Sequence, residues 1–314
     1  MQDIIMGTIT PMLYMFLCII IGYILCKKNV LPDNTATVLS KLEVWLFTPA
    51  LNLKTFIVNC TVKSLYENMY FISYSVIIMG MAVVIATILG KLFSKDKMEQ
   101  GIYRYSLAFA NYGFMGIAVT PLILGEKYLY LYMMFSIPLQ ITTYIWGYAN
   151  LIPKGKKGKS LLSNLLNPPC ISVFVGIVIG CLGCKDYVPE AVMLTLDGIG
   201  SCMGPVAMVI AGFVIAKYDM FKLFKNKNVY VVSFLRLILL PFIYCIFLHF
   251  IGANIDVIKI TMIAYGVSLG LNTVVVPEAY GGNTETGASM AIISNIFCII
   301  TLPILYMMIL SVVQ

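Results

Sequence analysis

The chain has 314 residues, 60% of them hydrophobic and only 11% charged, with a formal net charge of +7 and a mean hydropathy of +0.93. Soluble domains carry roughly a quarter charged residues, so a soluble fold is excluded. The basic residues occupy short gaps between apolar runs, which speaks for membrane orientation and against nucleic-acid binding.

In chain order, the N-terminus (MQDIIMGTITPMLYMFLCIIIGYILCKKNV) lacks a basic leader and a small-residue cleavage site, and reads as a first spanning helix. Apolar runs then predict ten helices over 6–26, 37–57, 69–91, 103–123, 128–150, 168–184, 191–216, 229–251, 258–280 and 286–312. Lysines concentrate in the gaps after odd-numbered helices: Lys27, Lys28, Lys91, Lys95, Lys97, Lys154, Lys156, Lys157, Lys159, Lys217, Lys222, Lys225 and Lys227. The even gaps hold only Lys63, Lys127, Lys185 and Lys259, beside Lys54 near a helix end. The odd gaps are therefore expected in the cytoplasm, with both termini on the outer side of a cell membrane.

The sequence from Pro11 repeats from Pro169, with Pro11, Gly22, Cys26, Lys27 and Val30 matching Pro169, Gly180, Cys184, Lys185 and Val188. In each half the next helix carries a mid-span proline, Pro49 or Pro205. Five helices per half require opposite insertion. The expected fold is thus an all-α polytopic membrane protein of two inverted five-helix repeats, 1–152 and 168–314, joined by a basic cytoplasmic linker, 153–167.

The fourth helix of each half is interrupted in the same way: "ANYGFMGIAVTPLILG" in one, "AYGVSLGLNTVVVPEAYGG" in the other. Glycine permits close approach, and proline frees a carbonyl one turn back. Opened backbone at membrane depth survives only where protein or a wet cavity satisfies it. Paired interruptions mark a transporter binding site, with Asn111, Gly113, Gly116 and Pro121 from one half and Ser268, Gly270, Asn272, Thr273 and Pro277 from the other. Asn52 and Gln140 are further wall residues, each with interhelical hydrogen bonding as its structural alternative. Glu43 and Asp197 are intramembrane acids that could carry a coupling proton, or pair with a lysine instead. Arg104 and Arg236 are read as snorkelling at cytoplasmic helix ends, leaving no arginine at the interruption, and His249 as interfacial.

"KLEVWLFTPAL", "ANYGFMGI", "LDGIGSCMGPVAMVIAGFVIA", "SLGLNTVVVPEAYGGN" and "ISNIFCIITLPI", in this order and over nearly the whole chain, resemble the auxin efflux carrier family. The resemblance implies that helices 1, 2, 6 and 7 form one domain and helices 3–5 with 8–10 the other. Helices 4 and 9 would break and cross, substrate would bind beside the crossover, and alternating access would be elevator-like. It also implies a homodimer. Asn111 matches the family's helix 4 asparagine; its neutral amide can bond a carboxylate without burying a charge. The chain departs from the family by placing Ala118 and Ser268 at the usual crossover prolines.

The expected function is secondary transport of a small organic anion, a carboxylate, with a proton or sodium ion as candidate coupling ion and no other cofactor. The alternative is a cation/proton antiporter of related fold. An enzyme is not expected: HExxH and a clustered His/Asp/Glu set are missing from the sequence, and its one histidine offers little for a metal site or a triad. The nine cysteines imply no disulfide framework, and the lone pair Cys181 and Cys184 no metal site.

Overall fold

The computed structural model describes residues 2–153 and 166–313, and among these every regular element is a helix. Beside two short turns, Cys184–Tyr187 and Met220–Leu223, they run α1 (Gln2–Lys27), α2 (35–59), α3 (Val62–Leu89), α4 (Lys97–Leu124), α5 (127–151), α6 (Pro168–Cys181), α7 (Glu190–Ile215), α8 (Lys227–Phe250), α9 (255–279) and α10 (Glu285–Val313). Six of them, α1, α3, α4, α7, α8 and α10, are long and apolar enough to cross a membrane. Large apolar side chains such as Leu17, Trp45, Val84 and Ile300 face outward, as a lipid environment requires. Most of the expected basic linker at 153–167, with Lys154, Lys156, Lys157 and Lys159, lies outside the described residues.

One boundary differs clearly from the apolar pattern. α3 begins at Val62, not near 69, because Thr61 and Ser64 form a capping box. The Ser64 N–H donates to Thr61 Oγ1 (3.0 Å) and the Thr61 N–H to Ser64 Oγ (2.9 Å). This reciprocal cap satisfies two otherwise orphaned donors, so the helix starts in a polar turn that carries Lys63, Glu67 and Asn68.

Several helices are widened or opened, and proline explains part of this. A proline lacks the N–H and clashes with the carbonyl four residues back. In α2 a π-turn, Glu43–Phe47, ends two residues before Pro49; in α8 another, Leu235–Leu239, ends two residues before Pro241. α7 is interrupted at Cys202, shortly before Pro205.

α4 and α9 open completely. The first half of α4 stops at Ala108, and the chain turns extended at Phe109 (φ −124°, ψ 145°) before resuming through a π-turn, Tyr112–Gly116. The first half of α9 stops at Gly266, extends at Val267 (φ −69°, ψ 163°) and resumes at Asn272. The later prolines are not the cause: Pro121 and Pro277 both lie inside the resumed helices. Ala118 is likewise helical, whereas Ser268 does sit in the opening of α9.

Glycines set the helix contacts. α1 packs along the second half of α7, and α6 along the second half of α2. A Cβ on Gly212 of α7 would lie 1.9 Å from the Ile19 carbonyl oxygen of α1, and one on Gly22 would lie 2.1 Å from Val209 O. Gly180 of α6 makes the equivalent approach to Cys60 O, 2.3 Å from its ideal Cβ. Gly22 and Gly180 are the two glycines matched by the sequence repeat. α3 packs on α4 and α5, while α8 and α9 pack on each other and on α10.

Gly212→Ala must therefore push α1 away from α7. It should cost about 1–3 kcal/mol, the usual range for overpacking, and lower the melting temperature of the purified protein. Gly80→Ala, with nothing within 4 Å of its Cβ, should leave melting unchanged when measured in the same detergent.

Candidate functional site

The two openings meet. The Asn111 N–H donates to the Ser268 carbonyl oxygen at 2.7 Å, tying the α4 opening to that of α9. α10 completes the α9 side: Ser294 Oγ accepts from the Leu269 N–H (2.9 Å), and the Ser268 hydroxyl donates to Asn295 Oδ1 (2.7 Å). α5 completes the α4 side, where the Tyr132 hydroxyl donates to the Tyr112 carbonyl (2.9 Å). Gly116 makes room for that hydroxyl, since a Cβ there would lie 1.9 Å from it.

Behind the crossing sits Arg236, which is 3% exposed. Its Nε donates to Ser106 O (2.9 Å) and its Nη2 to Phe109 O (3.4 Å) and Val267 O (3.1 Å). These carbonyls belong to the ends of both first half-helices. The snorkelling expectation for Arg236 is thus overturned, as is the expectation that no arginine stands at the interruption. The apolar pattern put it near a helix end, but α8 begins at Lys227 and its π-turn aims Arg236 inward. The signal that could have found it is Pro241, five residues on, which marks the widened turn. Arg104 is half-buried beside Gln100, and His249 is exposed at the end of α8.

In front of the crossing lies a cavity of about 290 Å³. Of the expected site residues, Asn52, Asn111, Gly113, Gln140, Gly270, Asn272 and the acid Glu43 line it. Gly116, Pro121, Ser268, Thr273 and Pro277 do not; Gly116 and Ser268 act by holding the crossing together. The Thr273 hydroxyl instead faces the Gly287 carbonyl of α10 at 3.3 Å. Asp197 is also off the cavity, ion-paired with Lys54 on a partly exposed face between α7 and α2. Sequence reasoning missed Tyr112, Thr143, Tyr144, Tyr148 and Asn295 in the wall. Tyr144 and Tyr148 are one turn apart on α5, a spacing that also fits ordinary packing.

The wall comes from two sets of helices. Glu43, Asn52, Pro169 and Ala207 belong to α2, α6 and α7; Asn111, Gln140, Gly270 and Asn295 belong to α4, α5, α9 and α10. Both resumed half-helices begin at the cavity, through Asn111–Gly113 and Gly270–Asn272. The first N–H groups of a helix have no partner within it, and its N-terminus carries about half a positive charge. Two such ends converge here, and among the described residues no cationic side chain lines the wall; donors of this kind can bond an anion's oxygens.

The amides divide by engagement. Asn52 Nδ2 donates to Pro169 O (3.0 Å) and Ser172 Oγ (3.1 Å), tying α2 to α6. Asn272 Nδ2 donates to the Tyr105 hydroxyl at 2.7 Å. The Asn111 side chain makes no hydrogen bond among the described residues; it packs against Gly270, whose ideal Cβ would sit 3.2 Å from Oδ1. Glu43 is 2% exposed, and neither carboxylate oxygen has a partner among the described residues.

This division predicts opposite stability effects. Asn52→Ala should cost about 1–2 kcal/mol through lost buried hydrogen bonds, whereas Asn111→Ala should leave the melting temperature near that of the parent. Differential scanning fluorimetry of the purified variants checks both.

A search of curated proteins finds no matching relative. The sequence model of the family described as "Membrane transport protein" matches residues 8–306, from α1 into the last turns of α10. The chain therefore belongs to that family of membrane transporters, the auxin efflux carrier family.

Proposed function

We propose that the protein is a secondary transporter of small organic anions, specifically carboxylates, that bind in the cavity in front of the crossing. The observation that carries this reading is the pair of half-helix N-termini converging on the cavity beside the uncommitted Asn111 amide. A carboxylate accepts N–H donors from both sources and needs no cationic side chain in the wall. At about 290 Å³ the space sits at the small end of ligand pockets, roughly 300–1,000 Å³, which favours compact acids.

In this reading α1–α10 are ten crossings in two inverted repeats, with both termini outside and the protein in the cytoplasmic membrane. The pairing of α1 with α7 and of α6 with α2, through Gly22 and Gly180, supports the repeat. α1, α2, α6 and α7 form the domain against which the crossover domain (α3–α5 and α8–α10) moves in an elevator-like step. A cavity walled by both sets opens to one side or the other when they slide. The homodimer rests on family resemblance alone.

Glu43 is the coupling-proton candidate favoured here. An intramembrane acid without a partner in a transport cavity is a functional group by default, and its place in the π-turn of α2 puts it opposite the crossing. Asp197, already paired with Lys54, is the weaker candidate. The same Glu43 favours the second reading, a cation/proton antiporter, in which the carboxylate would bind cation and proton alternately.

Proteoliposomes on a solid-supported membrane separate the two. Jumps of mono- and dicarboxylates, with and without a pH gradient, should give acid-specific currents. Asn111→Ala should weaken apparent affinity tenfold to a hundredfold, the equivalent of losing about 1.5–3 kcal/mol of hydrogen bonding to a charged group. Glu43→Gln should leave acid binding measurable but abolish the effect of the pH gradient. Currents that follow cations and pH alone, indifferent to every acid and to Asn111→Ala, would establish the antiporter instead.

A further inference from the structure

Arg236 bonds the class of carbonyl oxygens that coupled transporters of interrupted-helix design use to hold an inorganic cation. In such proteins the unwound carbonyls and the C-terminal ends of half-helices coordinate sodium or a proton. Here the corresponding oxygens are Ser106 O and Phe109 O from the opening of α4 and Val267 O from that of α9, and all three accept from one guanidinium.

The charge balance is specific. Each helix C-terminus carries about half a negative charge, so two of them meeting in a buried place present about one. A single guanidinium matches that sum, and it remains charged in a protein. Among the described residues Arg236 forms no ion pair with a carboxylate, so its compensation comes from these carbonyl dipoles. Its third nitrogen, Nη1, is buried without a partner. The side chain is absent from the cavity wall; its partners are the ends of the two first half-helices, apart from the space assigned to substrate.

We propose that Arg236 is a resident cation that takes the place of a coupling ion at the crossing, holding both openings together and making the protein independent of sodium. Arg236 is on this account a positioning residue: it fixes the ends from which the half-helix N-termini are aimed and does not touch substrate. The inference rests on the transporter reading of the crossing, but its test needs no substrate, so a failure to find a transported acid leaves it intact.

The test uses purified full-length protein in detergent. The parent should melt at the same temperature in sodium, potassium and choline chloride at matched concentration, and should bind no radioactive sodium saturably. Arg236→Ala should melt several degrees lower. Millimolar guanidinium or methylguanidinium should restore part of the loss, whereas urea, the neutral isostere, should not, and neither cation should stabilise the parent. Arg236→Lys, which keeps the charge but not the fork of donors, should fall between the two.

Saturable sodium binding by the parent, or its selective stabilisation by sodium over choline, would overturn the proposal. So would an Arg236→Ala variant that melts like the parent, or a folded one that guanidinium fails to rescue. Should that variant not fold, the sodium measurements on the parent decide.

Discussion

The whole arrangement depends on three carbonyl oxygens and one guanidinium. Opening a helix in a membrane strips several backbone groups of their partners, and each unsatisfied group in a dry environment costs several kcal/mol, by order of magnitude. Here two openings are placed against each other and share the remedy. Arg236 takes up Ser106 O, Phe109 O and Val267 O, and the Asn111 N–H meets Ser268 O. α10 adds Ser294 and Asn295 to the α9 side.

That remedy has a direction. With the carbonyl ends bonded by Arg236, the starts of the resumed half-helices are left to face the cavity, which Asn111, Gly113, Gly270 and Asn272 line. A cation built into the back of the crossing and a polar, donor-rich front follow from one geometry. The glycine contacts serve the same end at lower resolution. Gly212 and Gly180 bring α1 to α7 and α6 to α2 at backbone distance, assembling the opposite wall, while Gly116 admits the Tyr132 hydroxyl that fixes the first turn after the α4 opening.

Much of this was legible in the sequence, for reasons that differ by element. Apolar length places helices because hydrocarbon thickness sets it, and the paired interruptions stood out because glycine and asparagine are poor fillers for an anchor. The sequence could not say where each opening falls. Pro121 and Pro277 suggested later positions, yet the chain opens at Phe109 and Val267, where pairing between the openings and the Arg236 bonds outweigh local preference. Nor could apolarity reveal the polar start of α3, which a Thr61–Ser64 cap determines. Among candidate residues, Asn52 and Asn111 look alike in sequence; only the structure separates the amide that ties α2 to α6 from the one left uncommitted. Glu43 and Arg236 both lie on π-turns shortly before a proline. Charge plus a proline five or six residues on is a pattern that can be read without coordinates.

Occupation of the cavity by a carboxylate is the central claim, and the protein carries its own reporter. Of its two tryptophans, Trp45 is exposed to the surroundings, whereas the Trp146 ring lies 6.0 Å from that of Phe109, at the α4 opening. In a Trp45→Phe background, fluorescence of Trp146 titrated with succinate, malate and short monocarboxylates reads the crossing directly. A saturable change with at least one acid, unaffected by substituting sodium with choline and shifted to tenfold to a hundredfold higher concentration in Asn111→Ala, is the predicted result. A response that survives Asn111→Ala unchanged, or no response to any carboxylate, would contradict the account.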